Sequence, residues 1–351
     1  MTRRRPNARS SRRVLGWAAG GFVAIQLAGG VILDYACPDV RFPLMRSMVE
    51  QSVAEPRPAD VIILGSSRSD KSINATELTY AVRDATGDAD FRAFNGTIGW
   101  SDALTMELAL NRLLAAGAAP RVVIVEMTPV TVARNTQWYV THTQRQLRWG
   151  DLPTHLGEIV GSHRVGGLVH DRVAPLYEHR YEIVKRLRVE TGVFPPAPAP
   201  YTPPADRLRP EMSEEKWTEL LAPRPLTAEE SARAGAAADG VRREVRDFGP
   251  TGNGLAALER TLETCRARGI RVLIVGVPVS SAYRESCAPV DVAYREVLAA
   301  VCARHGATFF DAHAALPDHL LSDYHHATPD GGVAFARLLA RQAVAPLVKR
   351  Q

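Results

Sequence analysis

Apart from one stretch near its start, this chain of 351 residues has no long apolar run. That excludes a polytopic membrane protein, since each further span would need about 20 mainly apolar residues. No acidic residue precedes position 14, and no internal repeat is evident. The net charge of +5 therefore has a local origin: Arg3, Arg4, Arg5, Arg9, Arg12 and Arg13 account for it and leave the rest about neutral. A basic tail of that kind says nothing about the ligands of the main domain and gives no reason to expect nucleic acid. His142, His155, His163, His170 and His179 lack the tight spacing with Cys or Asp that a metal centre uses, so no metal and no cofactor is expected. A phosphate-binding loop is missing too. Gly65-Ser-Ser-Arg-Ser-Asp70-Lys71-Ser72 approaches the pattern, but Asp70 replaces its second glycine and would set a carboxylate against phosphate. Cysteines number four. Cys265 and Cys302 fall on two predicted helices and could pair, or these two and Cys287 could be buried free thiols.

What is present begins with Val14–Leu33, 20 residues with Gln26 as the one polar side chain. A helix of that length crosses the roughly 30 Å bilayer core. Arginines on its N-terminal flank predict that end inside and the remainder outside. A cleaved signal peptide would have a shorter apolar core, about 7–15 residues, and a small-x-small site. Cys37, after Asp-Tyr-Ala, is poorly placed for a lipoprotein. The expected organisation is a basic cytoplasmic tail over residues 1–13, a transmembrane signal anchor over 14–36, a linker over 37–58 with a short amphipathic piece at Leu44–Met48, and a main domain over 59–350. The localisation expected is the cytoplasmic membrane, single-pass, with the main domain on the outer side.

From residue 59 the pattern alternates. Strands are predicted at Asp60–Leu64, Phe91–Phe94, Arg121–Met127, Arg271–Val277 and Ala307–Phe310. Helices are predicted at Ser101–Ala115 (Ser101 as N-cap), Leu255–Arg268, Val290–Arg304 and Gly332–Leu347. Uniformly apolar strands alternating with helices imply an α/β fold, a three-layer α/β/α flavodoxin-like parallel sheet covered on both faces. An insertion at about 132–250 interrupts it, helical over Gly157–Leu187 and 227–247 and proline-rich over 194–210. It is expected to cap the site end of the sheet.

Functional groups of such sheets gather beyond the carboxyl ends of the strands. Gly65-Ser66-Ser67 stands at one such end and Asn95-Gly-Thr-Ile-Gly99 at a second, with Asp323-Tyr-His-His326 beyond a third. A serine nucleophile needs a base, an acid that orients the base, and N–H donors for the oxyanion. Ser67, His326 and Asp323 supply the first three. Thr328-Pro329 follows as N-cap and first residue of the last helix and fixes where His326 sits. His325 offers a competing spacing to Asp323. Arg68, beside Ser67, is a candidate contact for an anionic substrate group.

These blocks resemble the SGNH (GDSL-like) hydrolase superfamily, in particular its membrane-anchored branch with the D-alanyl-transfer proteins of teichoic-acid modification and the alginate-type O-acetylation proteins. The likeness covers roughly residues 59–135 and 270–347. Gly65-Ser66-Ser67 matches the Gly-Asp-Ser block with Ser in place of Asp, and Asp323–His326 matches the Asp-x-x-His block. Asn95–Gly99 is similar to the second block, which implies Gly99 as an oxyanion donor with Asn95 beside it. Where the family has an oxyanion Asn after the third strand, this chain has Glu126-Met-Thr-Pro-Val130, as the D-alanyl-transfer type also lacks it. The resemblance implies a serine acyltransferase or esterase acting on O-acyl groups of a cell-envelope polysaccharide, with a membrane-bound O-acyltransferase as partner. A generic exported carbohydrate esterase and a non-catalytic scaffold of an envelope assembly are the alternatives.

Overall fold

The computed structural model describes residues 8–54, 57–132, 146–161, 165–191, 214–235, 238–246, 248–249 and 252–349. They divide into two compact units, one of Ser47–Thr143 with Pro203–Gln351 and one of Met1–Arg46 with Gln144–Thr202.

The larger unit is built on five parallel strands: β1 (Val61–Leu64), β2 (Ala93–Asn95), β3 (Val122–Glu126), β4 (Arg271–Gly276) and β5 (Thr308–Asp311). Their order is β2-β1-β3-β4-β5, with Ile62 beside Phe94 and Val123, and Ile274 beside Val125 and Phe309. This is the doubly wound arrangement of a flavodoxin-like sheet, in which a crevice opens at the β1/β3 switch point. Successive side chains point to opposite faces. Val61, Ile63, Val122, Ile124, Leu273 and Val275 share one face with Leu78, Val82, Phe335 and Leu339 from helices Ala75–Thr86 and Pro329–Leu339. Helices Ala103–Ala115 and Asn253–Ala267 pack together and against β1 and β4 to complete the layers. β1 and β3 are buried at every position, which is why they read as uninterrupted apolar runs. Each fully buried Ile, Leu or Phe contributes about 1.5–3 kcal/mol, so these two strands anchor the sheet.

Several elements differ from expectation for local reasons. Ser101 does not cap its helix. Asp102 does, accepting from Thr105 N at 2.8 Å, while Ser101 Oγ donates to Gly65 O at 2.7 Å. The helix expected at Val290 begins at Ser281 and runs through Pro289 to His305. Ser280 caps its start, and Gly306 in the left-handed region (φ 67°) ends it. Residues 37–58 are not a plain linker: Pro38–Arg41 and Pro43–Ala54 are helical, because each proline opens a helix where its missing N–H needs no partner. The four cysteines are free thiols.

The smaller unit holds the long N-terminal helix Ala8–Tyr35 and the helices Leu152–Gly161, Val165–Val173, Pro175–Glu178 and Arg180–Glu190. The stretch expected to be helical over Gly157–Leu187 falls within these four helices among the described residues, Pro175 starting one of them at its first position. Val165–Val173 and Pro175–Glu178 pack on the N-terminal helix. Only the later part of the expected insertion, Glu214–Leu221, Ala228–Gly235 and Ala238–Val245, belongs to the unit with the sheet. The proline-rich 194–210 stretch, His142 and His163 lie outside the described residues. Among the described residues, one helix, Ser11–Tyr35, is long and apolar enough to cross a membrane.

Candidate active site

β1 ends at Leu64, and the chain must turn at once to start the helix Ser67–Ser72. A Cβ on Gly65 would lie 2.4 Å from Ser69 Oγ and 2.8 Å from Glu126 Oε2, so only glycine lets the turn sit this close to the end of β3. Ser66 caps the helix, its Oγ accepting from Arg68 N at 3.2 Å. Ser69 N and Ser66 N donate to Glu126 Oε2 at 3.2 and 2.8 Å. Of the four N–H groups a helix start leaves over, these bonds use three. The fourth belongs to Ser67.

Glu126 is fully buried at the carboxyl end of β3 and organises this turn. It accepts from Ser66 N at 2.8 Å, Ser66 Oγ at 2.9 Å, Ser69 Oγ at 2.8 Å and Arg68 Nε at 2.7 Å. Burial pushes its carboxyl upward, but the Arg68 charge and the Ser66 and Ser69 hydrogen bonds outweigh that and hold it below the usual carboxylate range. Burial likewise opposes the charge on Arg68, and Glu126 more than offsets it. A charged pair this deep is stable only with its remaining bonds satisfied, and here the serines satisfy them.

The opposite wall is a tight loop. Leu321 and Ala327 form a bridge, Ser322 N donates to His326 O at 2.7 Å, and Thr328 N donates to Leu320 O at 2.8 Å. Thr328 caps the helix that Pro329 opens. A Cβ on Gly332 would lie 2.4 Å from Lys71 O, so the glycine allows the last helix to seat directly on Ser67–Ser72. Within the loop Asp323 Oδ1 accepts the N–H groups of His325 and His326, both at 2.8 Å. Its Oδ2 meets His326 Nδ1 at 2.6 Å, and His326 Nε2 meets Ser67 Oγ at 2.8 Å. A carboxylate on Nδ1 selects the tautomer whose Nε2 accepts from the Ser67 hydroxyl. Burial raises Asp323, yet the bonds from His326 and the two amides bring it well below the ordinary carboxylate value.

His325 is not part of this chain. Its ring packs edge-on against Tyr324 and His326, with centroids 3.9 and 4.2 Å away. Burial, then the Arg68 charge, pushes it down to about 3 and keeps it neutral.

Ser67, Arg68, Trp100, Glu244, Tyr283 and His326 are among the residues that line a cavity of about 230 Å³. Arg68 is not the exposed first-turn charge its position suggests; it is buried, tethered through Nε to Glu126, and forms part of the cavity wall. Asn95 and Gly99 are not brought to the cavity. Asn95 turns outward, giving Nδ2–H to Asp70 at 3.0 Å and accepting from Thr97 Oγ1 at 2.6 Å. Gly99 is exposed with open space where a Cβ would be. Pinning explains both placements: Gly96 N and Ile98 N are held by Ile63 O and Gly65 O at 2.9 Å. The loop turns only at Trp100, whose φ of 65° is a strained backbone for a bulky residue.

Sequence reading missed Glu126, Tyr283, Glu244 and Trp100. Glu126 carried a usable signal, a lone charge ending an otherwise apolar buried strand. Tyr283 is 2% exposed, and its hydroxyl lacks a hydrogen-bond partner of good geometry. Glu244, on Ala238–Val245, is pushed up by burial against the partial relief of Arg68. Asp323, His325 and His326 present ligand atoms within 4.8 Å of one another. A cation there would compete with the Asp323–His326–Ser67 bonds.

Fold and site together define a doubly wound α/β protein with a Ser–His–Asp hydrogen-bonded chain at the carboxyl edge of its sheet. No family model matches the chain, and no curated protein matches it. Among solved structures it is similar to a candidate acylhydrolase from Bacteroides fragilis (TM-score 0.42, 9% identity, covering 86% of this chain and 96% of that one). It is also similar to a gut microbial diltiazem-metabolizing enzyme (TM-score 0.33, 12% identity, 82% and 48%).

Proposed function

We propose that this chain performs serine acyl chemistry on an ester, with Ser67 as nucleophile. The observation that carries the reading is the unbroken chain from Asp323 through His326 to Ser67 Oγ, with contacts of 2.6 and 2.8 Å. In the first half-reaction Ser67 Oγ attacks the acyl carbonyl carbon and its proton passes to His326 Nε2. The leaving hydroxyl takes that proton as the acyl–oxygen bond breaks. Asp323 holds Nδ1–H and stabilises the imidazolium meanwhile. In the second half-reaction an acceptor hydroxyl gives its proton to His326 and attacks the acyl-serine carbonyl; the acyl–Oγ bond breaks and His326 returns the proton to Ser67 Oγ. The Ser67 N–H, unused by the turn, is the nearest donor for the oxyanion.

The substrate we favour is an O-acyl group on a cell-envelope polysaccharide. A cavity of about 230 Å³ is below the common range for drug-sized ligands and suits a short acyl chain. Arg68, Glu244 and Tyr283 add polar groups suited to a sugar. The likeness of Gly65–Ser67 and Asp323–His326 to the SGNH blocks, with an apolar N-terminal helix, supports a membrane-anchored acyltransferase with an O-acyltransferase partner in the bilayer.

Labelling with a serine-reactive fluorophosphonate tests the reading. The full chain should label, and Ser67→Ala should abolish the signal while thermal stability stays the same. Equal labelling of both proteins overturns it. If Ser67 labels, hydrolysis of an aryl acetate separates an esterase from a transferase that turns over only with a glycan acceptor.

A further inference from the structure

The helices Leu152–Gly161 and Val165–Val173 bury Ile159 and Leu168 but also turn aliphatic side chains outward, beside the exposed His170. Leu156, Val160, Val165, Val169 and Val173 are each 37–52% exposed. Among the described residues from 152 to 173, no Asp, Glu, Lys or Arg is exposed. Four charges of this unit, Asp34, Arg41, Asp171 and Arg172, are inside. Arg41 Nε lies 3.0 Å from Asp34 and its NH2 2.7 Å from Asp171, while Arg172 NH1 lies 3.0 Å from Asp34 and its NH2 reaches Leu147 O. Trp149 N also donates to Asp34 at 3.0 Å. Polar groups paired inward with aliphatic groups outward is how a protein meets hydrocarbon.

A second observation sets the depth. Leu176 and Pro175 fill the space over Gly29 and Gly30, where added Cβ atoms would lie 3.0 and 3.4 Å from them. Leu176 N donates to Gln26 Oε1 at 3.3 Å. The 25 residues Ser11–Tyr35 make a helix of roughly 38 Å, against a bilayer core of roughly 30 Å. If residues 14–33 span that core, Gln26 lies about 10 Å inside one face at 1.5 Å per residue. Whatever packs on Gln26 and Gly29 must reach the same depth. Further along, Tyr177 and Tyr181 are 58% and 72% exposed, and the Arg180 guanidinium stacks on both rings at 4.0 and 4.5 Å. Amphipathic rings with an arginine at their edge suit the headgroup level.

We propose that the outer faces of helices Leu152–Gly161 and Val165–Val173 form a lipid-facing surface, seated in the bilayer leaflet beside the C-terminal half of the N-terminal helix, with Tyr177–Tyr181 at the headgroups. The inference rests on the membrane-anchor part of the proposed function. Its occupant is the acyl chains of the lipid.

The full-length chain in proteoliposomes tests this with an environment-sensitive fluorophore on single cysteines. Cys37 and Cys302 would be replaced by Ser; Cys265 and Cys287 are buried, with thiols pushed up to about 12, and stay unreactive. Labels at Val160→Cys and Val169→Cys should be quenched by doxyl lipid as strongly as one at Phe22→Cys, and little by iodide. A label at Val292→Cys, exposed on helix Ser281–His305 of the larger unit, should show the opposite. Iodide quenching at both 160 and 169 overturns the proposal in favour of a water-facing surface. Protection from both quenchers overturns it in favour of a protein partner. Lack of lipid quenching at Phe22→Cys fails the anchor reading itself, a result distinct from either. Ser67 labelling of each variant reports folding.

Discussion

The two units differ in where they put charged side chains. In the larger, β1 and β3 put Val, Ile and Leu in the middle and leave charges such as Arg295 and Glu259 outside; a deep ion pair, Arg68–Glu126, stands at the candidate site. In the smaller, Asp34, Arg41, Asp171 and Arg172 are buried together while Leu156, Val160 and Val169 face out. Water is the better solvent for the first surface and hydrocarbon for the second. The same interaction, a buried carboxylate–guanidinium pair, thus serves two ends. Arg68–Glu126 shapes the turn that carries Ser67, and Arg41 joins the N-terminal helix to helix Val165–Val173.

The largest effect expected is on chemistry alone. Asp323→Asn keeps the shape of the loop but removes the acceptor that selects the His326 tautomer. Labelling of Ser67 should slow by roughly a thousandfold or more, with the unfolding midpoint little changed. A loss below tenfold would mean that Asp323 only braces the loop through the amides of His325 and His326.

Next come paired substitutions that set the two units against each other. Removing one partner of a buried ion pair costs about 3–5 kcal/mol, because the other charge is left without compensation. Glu126→Gln should lower stability by that order and also abolish Ser67 labelling, since the carboxylate holds Ser66 and Ser69 as well as Arg68. Arg41→Leu should destabilise the protein comparably, leaving Asp34 and Asp171 to share Arg172 as their guanidinium partner, yet keep Ser67 labelling within about twofold of wild type. Thermal unfolding in detergent together with fluorophosphonate labelling reads both. If Arg41→Leu silences Ser67, the two ion pairs are not separate devices.

The sheet was legible because hydrophobic runs bounded by turns carry the strand signal, and its parallel strands are covered on both faces. Gly65–Ser67 and Asp323–His326 were legible for a related reason: each follows the end of a strand or precedes a helix cap, so local grammar positions it. The cavity wall was not. Glu244 reaches the site from a helix with no pattern to tie it there, and Tyr283 comes from the first turn of a helix expected to start nine residues later. The outward aliphatic side chains also escaped a reading by periodicity. Valines at helical spacing look the same whether they face a core or a bilayer, and only the position of Asp171 and Arg172 on the inner side separates the cases.

The smallest effect, again in the larger unit, is acid sensitivity from His325. Its ring titrates at about 3 in the folded protein and at 6.5 ordinarily, because burial and the Arg68 charge oppose protonation. Between those values the unfolded chain binds a proton that the folded chain does not. Stability therefore falls as pH drops through this window, by at most about 1.4 kcal/mol per pH unit for one proton. Asp323 and Glu126, both held below their ordinary values of 3.8 and 4.5, act in the same direction but only lower down. The interval from 6.5 to about 5 thus separates His325 from these two carboxylates. Urea midpoints at its two ends should differ more in wild type than in His325→Asn, which keeps a polar ring-sized group without the titration. Equal pH dependence would mean that the His325 ring is freely hydrated, and with it that this wall of the cavity is open to water.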